Sequence, residues 1–260
     1  MIENLDQLEH PPVALAGIAP GGRFTGVETV LMDIDDTLWE NNIFFLASLA
    51  WLCRAGRRCG HADRATISIL NHWENFNIGA KGYGYDSYAA SMEMAVAALV
   101  SRNGGRYRHL HAEFNAGVRR WTRFLKSHPI QWRAGVAETL PELTRRFRVI
   151  IVTKGHQGDQ MAKVDRCGLK HLFHGAEVVP HKYPDCYRRV IAKYDLNPAS
   201  TVMVGNSPRS DINMAKRAGL RTVYIPHPRT WFREVESILT DDPPTIEAEA
   251  FPQLLEVLRA

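Results

Sequence analysis

The sequence predicts an α/β protein: a doubly wound parallel sheet into which an all-helical segment is inserted. Three observations carry this. Short apolar runs at 28–32, 148–152, 176–179, 201–204 and 221–225 alternate with amphipathic stretches over short connections. Aliphatic runs without a helical period suit strands covered on both faces. The first four of these runs lead to polar residues of definite chemical use, and open parallel sheets place their chemistry at the carboxyl ends of strands. Residues 39–127, by contrast, hold helical spacing and no strand-like run.

In chain order, residues 1–23 carry Pro11-Pro12, Pro20 and Gly21-Gly22 with little periodicity and read as an arm laid over the surface or partly disordered. The first strand runs into Val30-Leu31-Met32-Asp33-Ile34-Asp35-Asp36-Thr37-Leu38. Three carboxylates within four residues repel one another unless a cation or charged ligand sits among them. Asp33 and Asp35 stand two apart and can face one cavity, which leaves Asp36 as a turn or capping residue.

Ile43, Leu46, Ala47, Ala50 and Trp51, and later Met92, Val96, Leu99 and Val100, recur at helical spacing. Between them the aromatic and glycine-rich segment 75–86 reads as a loop, and Asn103-Gly104-Gly105 as a second break. A helical block between two α/β segments is a small domain inserted into a larger one.

The α/β rhythm resumes with a helix at 136–146, in which Pro141 weakens the regularity, and a strand ending at Thr153-Lys154-Gly155-His156. A helix at 157–167, closed by Gly168, leads to a strand that reaches Pro180-His181-Lys182. The helix at 184–194 precedes a strand ending at Gly205-Asn206-Ser207, and a helix at 211–218, closed by Gly219, precedes the last strand. Asp241-Asp242-Pro243-Pro244 reads as a loop, and Pro252 opens a final helix with Leu254, Leu255 and Leu258 on its apolar face.

Composition narrows the function classes. With 260 residues, 45% of them hydrophobic and 23% charged, the chain suits a soluble globular protein of one large domain or a core plus a smaller one. The net charge of +4, from 32 basic and 28 acidic residues, is compatible with small anionic substrates and too slight and scattered for a nucleic-acid partner. Cys53, Cys59, Cys167 and Cys186 form no zinc-like spacing. The longest apolar run, 43–53, is too short for a bilayer, and the acidic, polar start does not resemble a signal peptide. A reduced, cytoplasmic protein without a membrane partner is expected; oligomeric state is left open.

In a parallel sheet the strand ends lie along one edge, so Asp33, Asp35, Thr153, Lys182, Asn206 and Asp211 converge. A carboxylate, a hydroxyl, an ammonium and further oxygens form a set suited to phosphoryl transfer, which needs a nucleophile in line with phosphorus and positive charge on its equatorial oxygens.

This order of motifs resembles the haloacid dehalogenase (HAD) superfamily, specifically its phosphatase-type members with a helical C1-type cap after the first motif. The resemblance rests on Asp-x-Asp-x-Thr at 33–37, then Thr153, Lys182 and Gly205 to Asp211. It implies a Rossmann-like core at 24–38 and 131–260 and a cap at 39–130, which leaves 1–23 as the arm. It further implies a Mg²⁺-dependent phosphatase acting on a small phosphorylated metabolite. Asp33 would be the nucleophile that becomes an aspartyl phosphate. Asp35 would be the general acid and then the base, holding a proton at first, which crowding by Asp33 and a sheltered site could favour. Thr153 and the Lys154 backbone N–H would bind the phosphoryl oxygens, and Lys182 would balance charge; apart from the resemblance, Asn42 is among the polar residues of the helical block that could contact the substrate. Mg²⁺ would be held by Asp33, the Asp35 carbonyl, Asn206 and Asp211, with the cap closing over the site.

Two departures stand out. The family commonly has Asp where this chain has Asn206, and Lys-Pro where it has Lys182-Tyr183-Pro184. A neutral amide oxygen attracts Mg²⁺ less than a carboxylate does. Blander roles exist: Thr153 as a helix cap, Lys182 as a solvated lysine. Rival readings are a phospho-accepting signalling domain, a catalytically weak ligand-binding member, and a phosphonate-type hydrolase using Lys81.

Overall fold

The computed structural model describes residues 18–19, 22–240 and 243–260. Its strands are β1 (Ile18–Ala19), β2 (Thr29–Met32), β3 (Arg148–Lys154), β4 (Gly175–Val179), β5 (Thr201–Gly205), β6 (Arg221–Tyr224) and β7 (Thr245–Glu247). The helices are α1 (Asn42–Arg58), α2 (Asp63–Lys81), α3 (Tyr85–Gly105), α4 (His111–Ser127), α5 (Val136–Arg146), α6 (Gln157–Arg166), α7 (Pro184–Lys193), α8 (Met214–Arg217) and α9 (Leu254–Val257). All seven strands are parallel, in the order β1-β7-β6-β5-β2-β3-β4. The predicted doubly wound sheet with a helical insertion is thus present.

Alternation along the strands explains the layers. Val30 and Met32, Val149 and Ile151, and Val202 and Val204 face one core with Val136, Leu140 and Leu143 of α5 and Leu254 of α9. Leu31, Ile150, Val152 and Met203 face the opposite core with Tyr187 and Val190 of α7 and Ala215 of α8. Both faces are covered, so the runs read as continuously apolar. Register then sets the reactive edge: Met32 pairs with Ile151 on one side and Val204 on the other. Asp33, Thr153 and Asn206 therefore emerge where the winding reverses, the crevice in which open α/β sheets bind ligands. Pro141 lies inside an intact α5.

Ile43–Pro129 form one compact unit, and the described residues up to Asn42 with Ile130–Ala260 a second. The first is helical, built around Leu52, Leu70, Met92, Val96, Leu99 and Phe114. Its helices are tied by Ser48 and Tyr88 hydroxyls at 2.7 Å and by Arg58 donating to Glu113. Trp51 lies against Gly117 of α4, in space a larger residue would fill.

The structure corrects several expectations. Residues 75–81 are the last turns of α2, not a loop. Buried Asn77 explains this: its amide donates to the Trp73 carbonyl and to Ser91 Oγ, both at 3.1 Å. The break shrinks to 82–84, where Gly82 (φ 76°) ends the helix. Asn103 does not interrupt α3, which ends at Gly104 and Gly105, both with positive φ. β1 lies within the stretch read as an arm, while 1–17 and 20–21 fall outside the described residues. β7 follows Pro243-Pro244; Asp241 and Asp242 also fall outside. The helix expected at 211–218 begins as a π-turn, Pro208–Asn213, before α8.

Candidate active site

Lys182 is the hinge of the site's charge. It is 3% exposed, and its Nζ stands 2.5 Å from Asp33 Oδ1 and 2.7 Å from Asp211 Oδ1. The second Asp211 oxygen accepts the Ser207 backbone N–H at 2.9 Å. Gly205 makes room for this, because the Asp211 carboxylate occupies the space a Cβ at 205 would need. The π-turn positions Asp211: its N–H and that of Ile212 both donate to the Ser207 carbonyl, at 3.0 and 3.1 Å, and such wide turns concentrate at functional sites.

Thr37 ties the second part together. Its hydroxyl lies 2.9 Å from Asp33 Oδ2 and 3.1 Å from Asn206 Oδ1, and it accepts the Asn206 N–H at 3.1 Å. One hydroxyl hydrogen faces two acceptors, so two hard oxygens approach the same small space. Asn206 is oriented from behind by its amide donating to Thr230 Oγ at 3.1 Å.

The electrostatics follow. Burial first, and the Asp211 charge second, push the Asp33 carboxyl upward, against the pull of Lys182. For Lys182 burial works against the ammonium, but the Asp211 and Asp33 charges outweigh it and raise its pKa. Two carboxylates sharing one ammonium leave a net negative site, which favours a bound cation or a proton.

Asp35 belongs to a separate cluster. Its carboxylate receives Lys163 Nζ, Gln160 Nε2 and Trp39 Nε1, and Gln160 also donates to Thr153 Oγ at 3.1 Å. The expectation that Asp35 starts protonated is corrected here. Burial raises its pKa, but the Lys163 charge and hydrogen bond, with Gln160 and Trp39, bring it below the ordinary value.

The Lys154 backbone, expected at the phosphoryl oxygens, stays beside Asp35, since its carbonyl accepts the same Gln160 Nε2 at 2.8 Å; Asn42 and the Lys154 side chain make other contacts. The Asn42 amide donates to the Arg229 carbonyl at 2.6 Å, and among the described residues no hydrogen bond joins its side chain to Asp33 or Asp35. The Lys154 side chain pairs with Glu234 and lies near Trp231; Glu234 in turn accepts from Ser207 Oγ at 2.5 Å. Asp36 caps α1, accepting the Asn41 and Asn42 N–H groups at 2.8 and 3.0 Å, with the positive φ of 59° that Asp tolerates.

Sequence reasoning missed Lys163, Gln160, Glu234 and Thr230. The i, i+3 spacing of Gln160 and Lys163 is the one signal that could have found a pair, since such residues share a helix face.

Among the described residues, Asp36, Glu40 and His227 bring three potential ligand atoms within 4.8 Å of one another. Their hydrogen bonds show another use. His227 Nδ1 accepts the Arg229 N–H at 3.1 Å, so Nε2 carries the proton and donates to Glu40 at 3.2 Å. Neither ring nitrogen then keeps a lone pair for an ion. Arg133 closes this knot by donating to the carbonyls of Asp36 and Pro226 at 2.7 and 2.9 Å.

A family model of haloacid dehalogenase-like hydrolases matches residues 27–219. The chain belongs to this family. Among relatives, the glyceraldehyde 3-phosphate phosphatase of Methanopyrus kandleri is 24% identical over 252 residues, covering 90% of this chain and 97% of the relative. The protein of the same name from Pyrococcus furiosus is 28% identical over 130 residues, covering 48% and 53%. A solved haloacid dehalogenase-like family hydrolase from Xanthomonas campestris superposes with a TM-score of 0.72 at 25% identity, covering 94% of this chain and 96% of that one. Among the described residues, no helix of this HAD hydrolase is long and apolar enough to cross a membrane.

Proposed function

We propose that this HAD hydrolase is a phosphatase that cleaves a small phosphomonoester through an aspartyl phosphate on Asp33. The observation that carries the reading is the contact of one buried ammonium, Lys182, with both Asp33 and Asp211, beside the oxygens of Thr37 and Asn206. That arrangement offers a nucleophilic carboxylate with a fixed positive charge next to it. The name shared by the two relatives supports a small phosphorylated metabolite as substrate.

In the first step an Asp33 oxygen attacks phosphorus, the bond from phosphorus to the ester oxygen breaks, and that oxygen takes a proton from Asp35. Asp35 is held as an anion at rest, so it must first gain that proton. The incoming phosphoryl group, with about two negative charges at neutral pH, favours this by like-charge repulsion. In the second step Asp35 takes a proton from water as the water oxygen attacks phosphorus, and the bond to Asp33 breaks. Thr153 hydrogen-bonds the phosphoryl oxygens, and Lys182 screens Asp33 from the approaching anion.

The donor set fits Mg²⁺, which takes oxygen ligands. Asp33, Asn206 and the Asp35 carbonyl would hold it, with Asp211 completing the acidic set while it fixes Lys182. When bound, the ion supplies positive charge beside the phosphoryl oxygens. Four buried cysteines without a disulfide suit a reducing cytoplasmic setting.

The test is phosphate release across a panel of phosphomonoesters that includes glyceraldehyde 3-phosphate, with and without Mg²⁺, beside Asp33→Asn. Turnover that needs both the ion and Asp33 is expected. Undiminished turnover in the variant, or none from any ester by the folded wild type, contradicts the reading.

A further inference from the structure

Two of the three aspartates that follow β2 have different lysine partners. Asp33 faces Lys182, whereas Asp35 faces Lys163, an α6 residue only 3% exposed. Lys163 Nζ lies 2.8 Å from Asp35 Oδ1, 2.7 Å from Oδ2 and 3.0 Å from Asn41 Oδ1. Gln160 Nε2 donates to Asp35 Oδ2 at 2.9 Å and Trp39 Nε1 to Oδ1 at 2.9 Å. Each carboxylate oxygen therefore meets two donors, from residues on two segments of chain. That fixes the plane of the carboxylate as well as its direction. Even so, 20% of the Asp35 side chain stays exposed, so the group is held and still reachable.

Stability alone does not require this grip. A buried ion pair is often no better for the fold than apolar residues of the same volume, and Lys163 projects from a helix whose other buried side chains include Val164. The chain also adapts to the arrangement. Gly155, just past β3, lets Gln160 lie against its backbone, since a Cβ there would stand 3.0 Å from Gln160 Cγ and Nε2.

We propose that Lys163, with Gln160 beside it, is a positioning residue that aims the Asp35 carboxyl at the ester oxygen that leaves. The inference rests on the phosphatase reading above. Lys163 does not touch the reacting atoms; it acts through Asp35. A proton donor works only when its oxygen is within hydrogen-bond reach of the atom it serves, and an aspartate free to rotate spends much of its time turned away.

The experiment compares wild type, Lys163→Met and Lys163→Arg on two esters: p-nitrophenyl phosphate, whose leaving group departs without a proton, and an alkyl phosphomonoester from the panel that needs one. With Lys163→Met, kcat on the alkyl ester is expected to fall about 100-fold, the lower end for a positioned acid. On the aryl ester it falls less than about fivefold, KM on both is little changed, and Lys163→Arg recovers part of the loss. Should Lys163→Met fail to fold, Gln160→Leu removes a different donor from the same carboxylate and must show the same split. Equal losses on both esters, no loss, or a gain on the alkyl ester overturns the proposal while leaving the phosphatase reading in place. A folded wild type that releases phosphate from no ester removes both.

Discussion

Lys182 Nζ lies 2.5 Å from Asp33 Oδ1, and the ammonium is buried with it. Removing one member of a buried pair strands the other, at a cost of about 3–5 kcal/mol. Lys182→Met leaves Asp33 and Asp211 together without their cation, so urea denaturation in the absence of Mg²⁺ should show a loss of that order. Adding Asp33→Asn should return part of it, because the two changes share one interaction. Strictly additive losses would mean that the pair is not coupled.

Asn206 sets up a second prediction. Its Oδ1 shares the Thr37 hydroxyl with Asp33, so a carboxylate at 206 would add charge where the ion is proposed to bind. Asn206→Asp should lower the Mg²⁺ concentration for half-maximal turnover by about tenfold, a modest Coulombic gain at short range. An unchanged metal dependence would take Asn206 out of the ion's coordination.

Burial first, and the Arg133 charge second, lower the His227 pKa from 6.5 to about 4, against the pull of Glu40; the Arg229 charge also lowers it. The sign follows from proton counts. Between pH 6.5 and 4 the unfolded chain binds a proton at this residue and the folded chain does not, so acidification through that window destabilises the fold by up to about 1.4 kcal/mol per pH unit. Asp36 shifts the opposite way, upward to about 7, through burial, so the wild-type curve alone mixes the two effects. Denaturation of wild type and His227→Asn at several pH values separates them. The stability lead of wild type should shrink on acidification, and a constant or widening lead contradicts the assignment.

Two glycines should respond in opposite ways. Gly205→Ala sets a methyl group against the Asp211 carboxylate; overpacking of this kind costs about 1–3 kcal/mol, and kcat should fall steeply as Lys182 loses its anchor. Gly79 lies in α2 with nothing within 4 Å of a Cβ, so Gly79→Ala should stabilise by up to about 1 kcal/mol. Melting and turnover of the two variants check the contrast.

β2, β3 and β5 were legible because their residues alternate between two apolar cores, as Val30, Leu31 and Met32 or Val202, Met203 and Val204 do. β1 and β7, of two and three residues, are too short to carry a period and owe their existence to neighbouring strands. Residues 75–81 looked like a loop from their composition, and burial of Asn77 against α3 decided otherwise. Strand-end logic placed Asp33, Lys182, Asn206 and Asp211 near one another, as their hydrogen bonds have them, since chain order alone fixes where parallel strands stop. It did not foresee what holds Asp35, whose lysine partner lies 128 residues away on a helix face that reads as solvent-exposed.

The central claim is that Asp33 carries the phosphoryl group. Borohydride reduces an acyl phosphate to an alcohol, so quenching the enzyme during turnover and mapping its peptides by mass spectrometry reports the residue directly. Conversion of Asp33 to homoserine, only when a phosphomonoester is present, is the predicted result. Phosphate released at the full rate with Asp33 never converted, and with Asp33→Asn as active as wild type, would contradict it.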